Sequence, residues 1–526
     1  MTEPVVTVTQ GKLRGAVLES SLGSSYIAFK GIPFAASPVG DLRFKDPQPP
    51  EPWTGIKDTT KIEGYICPQL RETPPIVVMG VEDCLYLNVY TKSLNQSKPV
   101  MFWIHGGAYL VGNSSFATYR PDYLLEQDVV VVTTNYRLGA LGFLNLGHRA
   151  APGNQGLKDL IASLKWVKEH IAIFGGDPDN VTLFGVSAGA ALIHTLLFTP
   201  SAKGLFHKAI LQSGVLTSPW SYNQSRPDRC FKLASLLGKN STDPEEVVKF
   251  LRTLPVKNII ECQGFILPPE EAVTYELPFG VNSDAVAENP VLPEPIDEYL
   301  EKGFDVPVII GYTADEFIMF VKDNRERALN IYNQFLPRNV RNMGAMKKLE
   351  EAKSERLITK VKNWYLNGKA VCLENIAGYI RFTTDLHFGV PANLVLEKAV
   401  KVSSAPIYFY RYSYVGSEKA PTDLIIKRLI AGASHVDEVA YLFYLPLCKT
   451  ENTQPPAVGT KDRATINRMT KLWSNFAKTG DPTSSKDEFV NVTWEPTTVD
   501  KLCYLEIGEE LQFLPLPPHI LSSTEF

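Results

Sequence analysis

The chain has 526 residues, of which 44% are hydrophobic and 21% charged, and its formal net charge is −4. These proportions are typical of a globular protein with a large core, and the weak negative charge indicates neither nucleic acid nor an anionic membrane as a partner. No apolar run approaches the roughly 18 residues that a membrane span requires. Although the length alone favours three or four domains, no linker, charge run or repeat divides the chain, so residues 1–526 are predicted to form one domain.

Cysteine usage and the N-terminus bear on cofactors and location. None of the seven cysteines forms a Cys-x-x-Cys pair and no His/Cys spacing fits zinc, so neither a metal nor another cofactor is predicted. The first eight residues contain no basic or apolar segment, so no signal peptide is expected and an intracellular location, cytoplasmic or microsome-associated, is favoured. Six glycosylation sequons keep a secreted origin open, and they begin at Asn95, Asn113, Asn180, Asn223, Asn240 and Asn491.

The order of strand and helix patterns predicts the fold class. Residues 5–17 read as an antiparallel hairpin that turns at Gln10 and Gly11, and another strand follows at 26–33. From residue 99 onward, uninterrupted apolar strands alternate with helical patterns, which indicates an α/β fold whose large, mostly parallel sheet is buried on both faces by helices. These strands are expected at 99–104, 128–134, 180–184, 208–212, 306–311 and 406–412, with a helix at 159–174, helical excursions at 229–260 and 325–375, and a late edge strand at 502–507.

A Gly-x-Ser-x-Gly stretch at residues 185–189 lies between a predicted strand and a run of small, helix-compatible residues. A strand–turn–helix of this kind lifts the serine hydroxyl, here that of Ser187, off the end of a sheet. The helix N-terminus then favours the negative charge that forms when the hydroxyl attacks a carbonyl. The pattern occurs by chance roughly 0.2 times in a chain of this length, so its structural context carries the prediction of a nucleophile.

A nucleophilic serine also needs donors for an oxyanion. The stretch 105–108, His-Gly-Gly-Ala, lies at the C-terminal end of the strand 100–104. A loop in this position supplies backbone N–H groups to an oxyanion together with the residue after the serine. The predicted donors are therefore the N–H groups of Gly107, Ala108 and Ala188.

The chain order Ser, acid, His requires the base to lie well after the serine. His435, in a loop that begins at Gly432 beyond a strand, is favoured over His387. The acid should follow a strand between serine and histidine, and either Asp315 or Glu316 could reach the imidazole from the loop after 306–311. The remaining histidines in range lie on the serine's own helix, before a buried strand and in a Pro-rich tail: His194, His207 and His519.

Seven motifs in order give the chain a family resemblance from about residue 5 to residue 515. The motifs are 29–35 (FKGIPFA), 38–44 (PVGDLRF), 82–89 (EDCLYLNV), 135–144 (NYRLGALGFL), 152–159 (PGNQGLKD), 174–178 (FGGDP) and 184–190 (FGVSAGA). With these motifs the chain resembles the type-B carboxylesterase/cholinesterase family of α/β-hydrolases, and most closely the insect carboxylesterases.

The resemblance implies an α/β-hydrolase fold, with helical excursions that cover an active-site gorge, and serine carboxylesterase activity. The family's triad acid lies in Gly-x-x-x-x-Glu, which matches 311–316 and selects Glu316. Its histidine lies in Gly-x-x-His, which matches 432–435 and selects His435.

The family pattern further implies a disulfide and two buried ion pairs. The disulfide would join Cys67 to Cys84. The ion pairs would be Arg43 with Glu82 and Arg137 with Asp177, and such pairs fix loop geometry more surely than they add stability.

Three positions depart from the family pattern. Val186 stands where glutamate is usual, so a cationic alcohol such as choline would lose an electrostatic partner. Ala108 stands where a third glycine is usual, and it keeps the N–H donor if the backbone angles tolerate a Cβ. Phe317 replaces a usual glycine and is expected to narrow the gorge.

An uncharged aromatic pocket is expected from Val186 together with Trp220, which matches an acyl-pocket aromatic, and from Tyr109, Phe279 and Phe388. This pocket favours neutral, lipophilic small-molecule esters as substrates, such as xenobiotic, odorant, pheromone or juvenile hormone esters, and the resemblance implies inhibition by organophosphates. The alternatives are a slow-turnover scavenger of insecticides and a non-catalytic binding homologue.

Overall fold

The computed structural model describes residues 3–61, 65–71, 73, 75–222, 226–268, 276–321, 326–346, 350–449 and 453–517. Its strands are β1 (Val5–Val8), β2 (Gly11–Arg14), β3 (Ala16–Glu19), β4 (Ser25–Pro33), β5 (Ile56–Asp58), β6 (Gln69–Leu70), β7 (Val78–Met79), β8 (Tyr86–Thr91), β9 (Lys98–Ile104), β10 (Val130–Thr134), β11 (Asn145–His148), β12 (Ala151–Pro152), β13 (Gly176–Val186), β14 (Lys208–Gln212), β15 (Val308–Thr313), β16 (Ile407–Tyr412), β17 (Cys503–Ile507) and β18 (Leu511–Pro515). Its α-helices are α1 (Asp122–Leu125), α2 (Gly139–Phe143), α3 (Gln155–His170), α4 (Ala188–Phe198), α5 (Pro227–Leu236), α6 (Pro244–Thr253), α7 (Val256–Cys262), α8 (Ile296–Leu300), α9 (Glu326–Met346), α10 (Glu351–Leu366), α11 (Ile376–Thr384), α12 (Val390–Val402) and α13 (Lys461–Thr479).

Within these residues, eleven strands form one sheet in the order β18-β17-β16-β15-β14-β13-β9-β10-β8-β4-β3. The seven strands from β17 to β10 run parallel, and the outer strands on both sides are antiparallel. The large, mostly parallel sheet predicted from the sequence is thus confirmed. The N-terminal hairpin of β1 and β2 is also present, but it joins β5 in a separate small sheet.

Helices cover both faces of the sheet. Side chains alternate between the two faces along each strand, and in the buried strands both sets are apolar, so both faces pack against helices. In β9, Phe102 and Ile104 enter one buried cluster with α3 and α4, whereas Met101 and Trp103 enter a second cluster with α13. Because the seven central strands are parallel, their carboxyl ends lie at the same end of the sheet. None of the helices in the described ranges is long and apolar enough to cross a membrane.

Some predicted boundaries differ from the structure. The helix expected over 159–174 begins earlier, as α3, and its last four residues form a separate 3-10 turn. The segment 502–507 is not at the edge of the sheet, and that prediction is wrong. Its strand, β17, is followed by a short turn at 508–510, after which β18 returns antiparallel and forms the outermost strand.

Two predicted links around the N-terminal loops are confirmed. Cys67 and Cys84 form a disulfide. Arg43 donates from Nε and Nη2 to the two carboxylate oxygens of Glu82, each at 2.6 Å. Both side chains of this ion pair are nearly buried, so the pair fixes one arrangement of the loop before the sheet.

The predicted pair of Arg137 with Asp177 is wrong. Arg137 instead donates to Asp159 of α3 from its backbone N–H, Nε and Nη2 at 3.0, 2.8 and 2.7 Å. Asp177 lies at the start of β13 and accepts the N–H of Asp179 in a local turn. Asp159 binds the guanidinium because its two oxygens match the geometry of the Arg137 fork.

Candidate active site

Ser187 lies at the sharp turn between β13 and α4, at the edge where the parallel strands end. Its backbone angles are φ 59° and ψ −125°, a strained conformation for a residue with a side chain. Its N–H donates to the carbonyl of Gln212 at the end of β14, at 2.8 Å, and its carbonyl accepts from Ala191 in the first turn of α4. The turn is therefore held from both sides by the sheet and the helix.

Glycines let three backbone segments meet at this turn. A Cβ added to Gly106 would lie 2.7 Å from the carbonyl oxygen of Val186 and 3.0 Å from the Cβ of Ser187. A Cβ on Gly189 would lie 2.2 Å from the carbonyl oxygen of Ile104. The loop after β9 consequently packs directly on the serine.

This loop after β9 carries the predicted oxyanion donors. Gly107, Ala108 and Tyr109 all have left-handed φ values of 110°, 54° and 59°. Ala108 thus adopts a backbone conformation that disfavours a Cβ. This agrees with the family pattern, in which glycine is usual at this position. In the described part of the chain, the N–H groups of Gly107 and Ala108 donate no hydrogen bond. Both remain available to a bound oxyanion.

His435 and Glu316 are in direct contact. His435 Nδ1 hydrogen-bonds Glu316 Oε2, while Glu316 Oε1 accepts the N–H of Thr313 at 2.8 Å. Both side chains are buried. Glu316 opens a 3-10 turn just after β15, at the end of the sheet where Ser187 also lies. The N–H of His435 donates to the carbonyl of Glu316 at 3.3 Å, so the histidine lies there too. Of the two acids left open by the sequence, Glu316 is the one that contacts the imidazole.

The competing residues have other surroundings. The N–H of Asp315 donates to the carbonyl of Ala433, and a Cβ on Gly432 would lie 2.6 Å from Asp315 Oδ2. His387 is buried and its ring stacks on Phe317 at 4.9 Å. Burial lowers the pKa of His387 to about 3, so this imidazole is neutral and enclosed.

A clamp of charged residues holds the His435 loop, and nothing in the sequence singled it out. Arg428 Nε and Nη2 donate to Asp423 at 2.6 and 2.8 Å, and Nη1 and Nη2 donate to Asp437 at 2.8 and 2.6 Å. Asp437 Oδ2 also accepts the N–H of Ser434, the residue before the histidine. One guanidinium thereby ties together both ends of the loop.

A second buried carboxyl group, Glu438, also lies close to Glu316 and His435 and was not predicted. Its Oε1 accepts from Gln212 Nε2 at 3.0 Å, and Gln212 Oε1 accepts from Trp473 Nε1 at 3.1 Å. Burial, reinforced by the charge of Glu316, raises the pKa of Glu438 to about 7. The sequence did contain one signal of this network, because the apolar strand 208–212 ends in a polar residue, Gln212.

The predicted pocket residues fall into two groups. Phe388 lies 5.0 Å from the His435 ring and 5.8 Å from Trp220, and Phe317 lies 6.4 Å from Phe388. These rings form an aromatic wall beside the histidine. The others are enclosed in packing: Val186 lies in the cluster with α13, Phe279 is buried, and the Tyr109 hydroxyl donates to the carbonyl of Ser221.

Comparisons with known proteins agree with this geometry. The sequence profile of the Carboxylesterase family matches residues 2–517. Esterase FE4 of Myzus persicae is 32% identical over 94% of this chain and 87% of its own length, and juvenile hormone esterase of Tribolium castaneum is 33% identical over 95% and 87%. The crystal structure of juvenile hormone esterase from Manduca sexta, with OTFP covalently attached, superposes with a TM-score of 0.85 at 29% identity over 99% of this chain and 97% of that one.

The chain therefore belongs to the carboxylesterase family and has the α/β-hydrolase fold. It is a serine carboxylic ester hydrolase that acts on small-molecule esters, as the sequence predicted.

Proposed function

We propose that Ser187 is the nucleophile, His435 the general base and Glu316 the acid that orients it. The single observation that carries this proposal is the buried hydrogen bond between His435 and Glu316 at the sheet edge where the strained turn of Ser187 also lies. A base oriented by a carboxylate beside a serine on a strand–helix turn is the arrangement that acyl transfer needs.

In the proposed reaction, His435 takes the proton of the Ser187 hydroxyl as its oxygen attacks the ester carbonyl. The N–H groups of Gly107, Ala108 and Ala188 bind the oxyanion, and each donor contributes about 3 kcal/mol to the transition state. His435 then gives the proton to the leaving alcohol, and water, activated by the same imidazole, hydrolyses the acyl-enzyme. Glu316 stabilises the imidazolium throughout.

The proposed substrates are neutral, lipophilic esters: xenobiotic, odorant, pheromone or hormone esters. The uncharged aromatic wall of Phe388, Trp220 and Phe317 supports this choice, since a wet or charged lining would favour polar acyl groups. Organophosphates are proposed to phosphorylate Ser187, because they present a tetrahedral phosphorus to the same nucleophile.

Ester hydrolysis by the parent and by Ser187→Ala tests the proposal. With p-nitrophenyl esters from acetate to octanoate, the parent should turn over and the variant should be inactive. A single stoichiometric burst without turnover would instead identify the slow scavenger. Equal rates for the two proteins would overturn the role of Ser187 and leave the binding homologue.

The intracellular location expected from the sequence stays a prediction. The Cys67–Cys84 disulfide favours the alternative, an oxidising compartment. A lower mass after deglycosylation of the protein from its natural source would support secretion, and an unchanged mass would support the intracellular location.

A further inference from the structure

Residues 107–111 of the loop after β9 form one closed turn. The N–H groups of Leu110 and Val111 both donate to the carbonyl of Gly107, at 2.9 and 3.0 Å. A Cβ added to Gly107 would lie 2.0 Å from the carbonyl oxygen of Val111, so the turn has no room for a side chain there. The proposed oxyanion donors, the N–H groups of Gly107 and Ala108, belong to this turn, and their positions therefore depend on how the turn is held.

Close packing and a backbone hydrogen bond hold the turn at its start and in its middle. Gly106 precedes the turn, and a Cβ there would lie 3.0 Å from the Cβ of Ser187. The carbonyl of Tyr109 accepts the N–H of Gly139, the first residue of α2, at 2.6 Å. These two contacts leave the end of the turn to be fixed separately, where the chain continues to Gly112.

A side-chain amide, that of Gln69, holds the end of the turn. Gln69 Oε1 accepts the N–H of Gly112, and Gln69 Nε2 donates to the carbonyl of the same residue, each at 2.8 Å. Gln69 is 5% exposed, so water competes little for these bonds. A Cβ on Gly112 would lie 2.3 Å from His105 Nδ1, so the end of the turn also lies against its beginning. Gly112 is thus bound through both of its backbone polar groups.

Gln69 is itself anchored beside the disulfide. Its Nε2 also donates to the carbonyl of Cys67 at 3.0 Å, and Cys67 is bonded to Cys84. A Cβ on Gly80 would lie 2.6 Å from that same carbonyl oxygen, so the anchor is closely packed. Both hydrogens of the Gln69 amide therefore have a fixed partner, one on the turn and one on a covalently closed loop.

Asn135 forms a second link of the same kind. Its Oδ1 accepts the N–H and the hydroxyl of Ser114, both at 2.9 Å, and its Nδ2 donates to the carbonyl of Cys84 at 3.0 Å. Two side-chain amides thus connect the two disulfide cysteines to the segment 112–114, directly after the turn. The link through Gln69 is the nearer of the two to the oxyanion donors along the chain.

We propose that Gln69 is a positioning residue for the oxyanion donors: it binds Gly112 and so fixes the turn that carries the N–H groups of Gly107 and Ala108. The inference rests on the proposed function, in which these N–H groups bind the oxyanion. Gln69 acts through Gly112 rather than through contact with the reacting atoms. Its bonds hold the donors in place before the reaction, and donors that need no reorganisation stabilise an oxyanion most effectively.

Gln69→Met tests the proposal, because methionine has a similar length and forms neither bond to Gly112. Its kcat/KM for p-nitrophenyl acetate should fall about ten- to hundredfold, somewhat less than the loss of a whole oxyanion donor. The matched control, Asn475→Leu, removes two hydrogen bonds of another buried amide, to the carbonyls of Pro482 and Ser485 after α13. Urea unfolding should show lower stability in both variants, and only Gln69→Met should lose activity. Equal loss of activity in the control would attribute the effect to stability alone and contradict the proposal.

Two ketones separate positioning of the donors from a general change of the site. Octan-2-one binds as the planar ketone. Its analogue with a trifluoromethyl group accepts the Ser187 oxygen at its carbonyl carbon, the serine proton passes to His435, and the carbonyl oxygen becomes an oxyanion, so this adduct resembles the transition state. In Gln69→Met the inhibition constant of the trifluoromethyl ketone should rise by the factor by which kcat/KM falls, and that of octan-2-one should change less than about twofold. Equal weakening of both ketones, or of neither, would overturn the role of Gln69.

A milder variant covers the case in which Gln69→Met does not fold. Gln69→Asn keeps the amide but draws it back by one methylene from Gly112, and it should weaken the trifluoromethyl ketone alone by about three- to tenfold. Unchanged affinity in Gln69→Asn would refute the proposal, even if the parent is an active esterase. Failure of the proposed function gives a different result, because the parent itself would then hydrolyse no ester and bind both ketones equally, and the inference would fall with it.

Discussion

The serine turn and the histidine loop are held in place by different forces. Around Ser187, backbone segments meet at distances that exclude even a methyl group at Gly106. Around His435, the atoms that a Cβ on Gly432 would meet belong to the side chains of Asp315 and Ile318 and not to backbone. Charged side chains also fix this loop, chiefly Arg428 between Asp423 and Asp437. Steric fit does not change with pH, whereas buried carboxyl groups respond to their protonation state. The proposed nucleophile, Ser187, should therefore be sensitive to added volume, and the proposed base, His435, to changed charge.

The largest loss of kcat is expected when the proposed acid, Glu316, is replaced. In Glu316→Gln the amide cannot neutralise the imidazolium, so kcat should fall about 10⁴-fold, as in other triads. Hydrolysis of p-nitrophenyl butyrate measures it. The matched control is Asp315→Asn, the neighbouring carboxyl group, which should lose less than about tenfold. Equal losses in the two variants would show that Glu316 is not the orienting acid.

Added volume at the serine should come next. Gly106→Ala forces the loop after β9 away from Val186 and Ser187, and a displacement of this size costs about 10²-fold in kcat. Gly264→Ala is the control, because a Cβ there meets open space at an ordinary backbone conformation. An active Gly106→Ala enzyme would mean that the close approach of the two loops is dispensable.

Removal of the clamp should affect stability and rate together. Arg428→Met leaves the carboxylates of Asp423 and Asp437 without their partner, so the free energy of unfolding should fall by about 3 kcal/mol, and kcat should fall because His435 is less well placed. Arg43→Met breaks a comparable pair with Glu82 away from the site. That control should lose stability and keep its kcat. Urea unfolding and butyrate kinetics measure both, and unchanged kcat in Arg428→Met would contradict the clamp.

The smallest expected effect concerns Glu438. Its pKa rises from 4.5 to about 7 in the fold, so the folded state holds a proton that the unfolded state has lost, and stability decreases as pH rises from about 4.5 to about 7. Glu438→Gln stays neutral and should exceed the parent by on the order of 2 kcal/mol at pH 8 and by little at pH 4. Urea unfolding across this range measures it. Parallel pH profiles for the two proteins would be evidence against a buried, protonated Glu438.

The sequence predicted the sheet well because uninterrupted apolar strands can only be buried on both faces. It did not predict which strand is outermost, since the apolar pattern of β17 is the same whether or not β18 returns beside it. The partner of Arg137 was also missed. Asp159 and Asp177 both follow Arg137 within a few tens of residues, so the sequence allows either as its partner. Asp159 is the partner because the packing of α3 brings it to the guanidinium.

In the candidate site, too, the sequence predicted local features well and missed contacts that depend on packing. The turn of Ser187 and the glycines around it are local features, so motif and context were sufficient to locate them. For the base, chain order and the loop after a strand favoured His435 over His387. For the acid, they left Asp315 and Glu316 open, and the family pattern selected Glu316. Gln212 and Glu438 come from segments that are far apart in the chain, and Arg428 binds two acids of its own loop. None of the three belongs to a motif that the sequence presented.

Covalent labelling tests the central claim, that Ser187 is the nucleophile, most directly. The parent and Ser187→Ala would be treated with diisopropyl fluorophosphate and analysed by intact mass and peptide mapping. The account predicts one phosphoryl group on the parent, attached to Ser187, and no label on the variant. A label on another residue, or equal labelling of both proteins, would contradict it.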